Sequence, residues 1–164
     1  MTQDEIDAFW EDARIHVGLT ELESYVGNRP LASVQPPAWA FGATPQQADQ
    51  LLALVLAGTK TGTASALWDY EADAEPLPTA GMLSIVLDGG GHPKALVRTD
   101  DVQIVPFAQV SEEHAYAEGE ADRTLASWRD IHRRFFTEHA THDRGFAEDM
   151  PVVLERFSVL HTWL

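Results

Sequence analysis

The order in which periodicities occur along the chain predicts an α+β fold. Helix-spaced apolar residues come first, strand-like segments follow, and late helices precede a final strand. The run "DGGGHP" at 88–93 joins two β-rich segments as a hairpin turn, so the sheet should be mostly antiparallel. No internal repeat and no low-complexity linker divides the chain. The expected architecture is a small, mostly antiparallel sheet or β-barrel flanked by helices.

Each element has a local cause. Over 3–17, Ile6, Phe9, Trp10, Ala13 and Val17 recur at helical spacing with acids between them. A shorter helix can follow at 20–26. "GNRPLASVQPPAWAFG", residues 27–42, is rich in Pro and Gly and reads as a loop or extended arm. Thr44-Pro45 is a hydroxyl cap followed by proline at the first helical position. The helix it starts runs through "QQADQLLALVLA" and stops at Gly58. "TGTASALW", "MLSIVLD", "KALVRTDDVQIVPF" and "PVVLERFSVL" are strand-like. Residues 112–119 read as a short helix and 124–139 as a longer one, capped by Thr124.

Composition limits the partners. The 164-residue chain carries a formal charge of −15 and no cysteine. Disulfides, thiolate zinc sites and cysteine nucleophiles are excluded. So acidic a chain disfavours tight non-specific binding to phosphates, although a local basic groove is compatible with it. No run of about 18 apolar residues is present, so no membrane helix and no membrane partner are expected. The start "MTQDEIDAFWEDARIH" is acidic and amphipathic, unlike a secretory signal, and the expected location is the cytoplasm.

The stretch "LAGTKTGTASALWDYE", residues 56–71, holds one of only two lysines, Lys60, among threonines and glycines. Gly58 lets the chain leave the helix through a left-handed turn. In the strand that follows, Thr61, Thr63 and Ser65 alternate onto one face. Lys60 joins them only if the start of that strand is irregular, which Gly62 permits. A lysine beside a threonine can bind an anion as a charge, or take the hydroxyl proton when desolvated. The plainer reading is a surface lysine on a β-rich turn.

Gly58-Thr-Lys60-Thr-Gly-Thr63-Ala-Ser65 resembles the signature of the ASCH domain family. The blocks "WAFGATPQQADQLLALVLAGTKTGTASALWDYE", "GMLSIVLDGGGHPKALVRT", "EHAYAEGEADRTLASWRDIHRRFF" and "EDMPVVLERFSVL" are similar to the uncharacterised bacterial branch of that family, in the same order. The resemblance spans 36–160, with 1–35 as an N-terminal helical extension packed on that domain. It implies a small PUA-like β-barrel related to the RNA-binding domains associated with pseudouridine synthases. It also implies a ligand, either a small modified nucleoside or single-stranded RNA, in a cleft beside the lysine motif. Some small relatives are similar to amidohydrolases that deacetylate N4-acetylcytidine, and others look like ribonucleases. The resemblance places the amidohydrolase residues on Lys60, Thr63 and Glu118, the last from "EEHAYAE". Thr63 would attack the acyl carbon, Lys60 would take its proton, and Glu118 would hold or relay it. No cofactor and no metal are implied. Ser65 departs from the pattern, since many relatives have arginine there. A non-catalytic, ligand-binding regulator is the third reading.

Other candidates carry plain alternatives. Trp39, Phe41, Trp68 and Tyr70 can stack a base, or pack the core as aromatics usually do. Arg123, Arg129, Arg133 and Arg134 form the basic cluster, with Arg123 and Arg133 the candidate ligand contacts; salt bridges to neighbouring acids are the alternative. His139, His142 and Asp143 match no strong metal signature. The 27–42 arm is long enough to close a cleft or to join two copies as a homodimer, and the sequence does not choose.

Overall fold

The computed structural model describes residues 2–18 and 34–164. The expected helix at 20–26 and the first part of the arm lie outside them. Among the described residues the chain forms five α-helices and one five-stranded sheet. The helices are α1 (Thr2–His16), α2 (Pro45–Leu56), α3 (Leu67–Asp73), α4 (Glu112–Glu118) and α5 (Leu125–Glu138). The strands are β1 (Ala38–Trp39), β2 (Gly62–Ala66), β3 (Leu83–Leu87), β4 (Pro93–Pro106) and β5 (Pro151–Thr162).

The strand order is β1-β3-β4-β5-β2. Strands β3 and β4 pair antiparallel, as do β2 and β5, whereas β1 runs parallel to β3. The sheet does not close into a barrel among the described residues. Strand β1 is only two residues long. The far side of the chain entering β2 is taken by a helix end rather than a strand: the Thr61 N–H donates to the Ala117 carbonyl at 2.7 Å.

The expected caps form. Thr44 Oγ1 accepts from the Gln47 N–H at 3.1 Å, and Gln47 Oε1 accepts from the Ala43 N–H at 2.7 Å. The Thr124 hydroxyl accepts from the Ser127 N–H at 3.2 Å. The turn at 88–93 is held by Asp88, whose carboxylate accepts from the Gly90 and His92 N–H groups. Helix α3 falls where a strand was expected to continue to Trp68. It ends at Ala74 in a left-handed conformation, φ 54°.

The chain divides into two units interleaved in sequence. The first draws on Met1–Leu56, Gly81–Arg98 and Ser158–Leu164, the second on Ala57–Ala80 and Thr99–Phe157. In the first, Ile6, Phe9, Trp10 and Ala13 of α1 are buried with Leu83, Ile85 and Leu96. Phe9 packs edge-on against Trp163 at 5.2 Å, and Asp12 accepts from both the Trp163 indole and His161. In the second, Ala66, Phe107, Ala115, Trp128, Phe136, Met150, Val152 and Leu154 form a separate core. No described helix is long and apolar enough to cross a membrane.

Phe9 is fully buried. Phe9→Ala should therefore cost about 3–5 kcal/mol, to be read from the midpoint of chemical denaturation.

Candidate functional site

The site is built on the carboxyl end of α4, within the second unit. A helix leaves its last carbonyls without intrahelical partners. Here Gly119, Arg123 and the turn after α2 supply them. Tyr116 O accepts from the Gly119 N–H and from Arg123 Nε, the latter at 3.0 Å. Ala117 O accepts from the Thr61 N–H at 2.7 Å, and Glu118 O from Lys60 Nζ at 3.3 Å. Arg123 also reaches Thr59 O at 3.2 Å while its guanidinium lies 3.5 Å from the Tyr116 ring centre. The approach is so close that a Cβ on Gly119 would sit 2.7 Å from Thr59 O, and the residue's φ of +73° also favours glycine. Gly58, at φ +78°, provides the left-handed step that starts the turn.

Glu118 fills the centre of this arrangement. Its position four residues after His114 puts both side chains on one face of α4. His114 Nε2 lies 2.8 Å from Glu118 Oε2, and the Trp128 indole donates to the same oxygen at 2.6 Å. His132 Nε2 is 3.2 Å from Oε1, and Lys60 Nζ is 3.7 Å from it. Lys60 is also 3.5 Å from the Glu120 carboxylate. Lys60 and Glu118 are 2% and 1% exposed, so this is a buried ion pair. Burial alone pushes the Glu118 carboxyl up. The His132 charge, hydrogen bonds from His114 and His132, and the Lys60 ammonium outweigh it and hold the carboxyl well below its usual range. For His132, burial opposes protonation, but the Glu118 charge and hydrogen bond, with Glu120 behind them, raise its pKa. His132 is held in orientation by its bond to the Trp128 carbonyl and by stacking on that indole at 4.2 Å. The ligand atoms of Glu118, Glu120 and His132 lie close enough to share a cation. The Lys60 ammonium already stands against both carboxylates, which leaves little electrostatic reason for a metal there.

Thr63 belongs to the face of β2 that carries Glu155. Directly opposite residues of an antiparallel pair share a face, and the register sets Thr63 against Glu155 and Ser65 against Val153. On the other face, a Cβ at Gly62 would meet His114 at 3.4 Å and Arg156 at 3.3 Å, and Ala64 and Ala66 join the core. Lys60 precedes the strand, so alternation does not fix its direction; the end of α4 does. The Thr63 hydroxyl is half-buried and makes no hydrogen bond among the described residues. Ser65 Oγ pairs with the Tyr70 hydroxyl at 2.9 Å, delivered by α3. Burial pushes the Tyr70 phenol up, against the lowering effect of that bond. Glu155 accepts from the Thr99 hydroxyl at 3.2 Å, and burial pushes its carboxyl up.

The structure thus joins Lys60, Glu118, Gly58 and Arg123 at one helix end, and Thr63, Ser65 and Tyr70 on one strand face. The other candidates go elsewhere. Trp39 and Phe41 belong to the first unit, packed edge-on at 4.8 Å. Trp68 packs on the second core, with His142 edge-on and Arg144 over its ring. Arg133 is bonded to Glu148 at 2.7 Å, the salt-bridged alternative. His132, Trp128, Arg156 and Glu155 are functional candidates that sequence reasoning did not single out. For Glu155 the signal was present, as an acid inside the apolar run "PVVLERFSVL".

Removing one partner of a buried ion pair strands the other charge. Glu118→Gln should destabilise by about 3–5 kcal/mol, measured by denaturant titration. The pH dependence has two signs. Glu118 contributes stability above its reference value of 4.5 and loses it as pH falls through its lowered folded pKa. His132 contributes below its reference value of 6.5 and loses it as pH rises through its raised one. The wild-type minus Glu118→Gln difference should therefore be largest between those values and shrink on both sides. A flat difference would mean the pair is not ionised.

The geometry can be set beside known proteins. A family model described as the ASCH domain matches residues 37–161. Protein EF3133 from Enterococcus faecalis V583, a DUF984 protein, has a crystal structure 34% identical to this chain, with a TM-score of 0.78. The match covers 96% of this chain and 88% of that one. The ASCH domain from Lactobacillus crispatus JV V101 is 29% identical, with a TM-score of 0.73 over 92% of this chain and 94% of that one. No curated protein matches. With its open five-stranded sheet and a family match over most of its length, the chain belongs to the ASCH domain family, whose fold is PUA-like.

Proposed function

We propose that this ASCH domain binds a nucleoside or RNA-like ligand beside the Lys60–Thr63 turn and hydrolyses the amide of an N4-acylated cytidine. The observation that carries the reading is a hydroxyl with no hydrogen bond among the described residues, Thr63, three residues from a buried lysine set against a buried glutamate. Burying an ion pair is a costly way to stabilise a fold, and such pairs concentrate where chemistry needs them. In this reading Thr63 attacks the acyl carbon. Lys60 supplies positive charge to the turn, and Glu118 fixes the ammonium in place. The backbone N–H groups of the turn are the oxyanion donors. An uncharged nucleoside also suits a chain of charge −15.

Single-stranded RNA is the second reading. It is favoured by Tyr116, which is 59% exposed and carries the Arg123 guanidinium on its ring. Such a pair can stack a base. The flanking Glu112 and Glu113 oppose it.

The test is a paired incubation of wild type, Thr63→Val and Lys60→Ala with N4-acetylcytidine and, separately, with a short single-stranded RNA. Products are resolved by chromatography. Wild type should release cytidine, and Thr63→Val should lose about 10³-fold or more in kcat. Cytidine release that survives Thr63→Val would remove the nucleophile assignment. RNA fragments without cytidine would move the function to phosphodiester cleavage.

A further inference from the structure

We propose that Glu155 is the residue that exchanges a proton with the Thr63 hydroxyl and so serves as the acid–base group of the site, an assignment that rests on the hydrolytic reading above. The two residues are direct cross-strand partners, so their Cβ atoms lie about 4.5–5.5 Å apart on one face. That spacing puts a carboxylate oxygen within reach of a threonine hydroxyl. The Glu155 side chain is oriented by the Thr99 hydroxyl from β4, which donates to Oε1. The second carboxyl oxygen has no hydrogen-bond donor among the described residues, so it is open to the Thr63 hydroxyl across the strand pair.

The other acids near the turn are poorly suited. Glu118 already receives N–H groups from His114, Trp128 and His132 and faces the Lys60 ammonium, and its lowered pKa makes it a weak base. Glu120 is engaged by the same ammonium. Glu155 has the opposite electrostatics. Its environment offers neutral hydroxyls, Thr63 and Ser65 from β2, Thr99 from β4 and Tyr70 from α3. Burial raises its basicity, and Tyr70 itself senses the Glu155, Glu75 and Asp69 charges. A carboxylate with a raised pKa is better matched to taking and returning a proton near neutrality.

The steps balance. The Glu155 carboxylate takes the Thr63 proton as Oγ bonds to the acyl carbon. The carboxyl then protonates the departing N4 nitrogen as the C–N bond breaks, leaving an acyl ester on Thr63. The regenerated carboxylate takes a proton from water as that oxygen attacks the ester. Returning the proton to Oγ as the ester bond breaks releases the carboxylic acid and restores threonine.

Two measurements test this. The first compares kcat and KM across pH for wild type, Glu155→Gln and Glu155→Ala on N4-acetylcytidine. Glu155→Gln keeps an acceptor for Thr99 and removes a carboxylate that burial disfavours, so it should melt no lower than wild type at neutral pH. Its kcat should fall about 10²-fold or more, with KM within about threefold and the acidic limb of the profile gone. Formate should partly restore Glu155→Ala, which a purely structural role would not allow. A Glu155→Gln enzyme within about threefold of the wild-type kcat overturns the proposal and leaves the hydrolytic reading standing. The second measurement follows the Glu155 side-chain carboxyl by carbon-13 NMR titration in wild type and Thr63→Val. If the Thr63 hydroxyl donates to the carboxylate in solution, as the proposal requires, its loss should move the midpoint upward. An upward move in a protein that releases no cytidine supports the proton pairing and removes hydrolysis as the function. An unmoved midpoint overturns the pairing itself.

Discussion

The buried ammonium of Lys60 at the end of α4 is the constraint on which the second unit turns. It satisfies a helix carbonyl, balances Glu118 and touches Glu120 in one position. A charge so far from water survives only when every neighbour is arranged to receive it. That requirement explains why α5 presents Trp128 and His132 to the same carboxylate, and why His114 lies on the inner face of α4. It explains the absence of a side chain at Gly119, where the turn passes too closely for one. Strand β2 leaves this anchored turn, so the direction of Thr63 is fixed before any ligand arrives. Pre-setting of this kind is what an enzymatic nucleophile needs.

Much of the scaffold was legible because local signals agreed with tertiary structure. Thr44-Pro45 and Thr124 capped helices as their chemistry demands. Helix α3 was not legible. "LWDYEAD" directly follows a strand, and Leu67 and Trp68 continue its apolar pattern; in the structure the chain turns there instead, and the Tyr70 hydroxyl bonds back to Ser65. The closed barrel was implied by resemblance and is not formed. What seals β2 is a helix carbonyl, and no strand pattern announces a hydrogen bond between elements so far apart in sequence.

The site was legible in part for the same reason. Lys60, Thr63 and Glu118 sit in short motifs and could be named. Their partners could not, because each is a single residue whose meaning depends on pairing register or helix packing. The role proposed for Glu155 comes from its place opposite Thr63, and register is invisible until the strands are joined. The arginines bond largely as the salt-bridged and hydrogen-bonded alternative has it. Arg123, Arg129, Arg133 and Arg156 all donate to carbonyls, a carboxylate or an imidazole of their own chain. Those bonds hold the guanidinium groups in place, and 26 acids against 11 Lys and Arg residues set the character of the surface.

The interleaving of the two units has a consequence for how the chain opens locally. Phe9 and Asp12 belong to α1, yet their partners Trp163 and His161 lie in the segment Ser158–Leu164. The second unit, by contrast, has all its residues by Phe157. Detachment of Ser158–Leu164 would therefore leave every residue of the unit that carries Lys60 in place while uncovering part of the apolar stripe of α1. A chaperone that recognises such stripes would find its opening there, at the frayed end of β5.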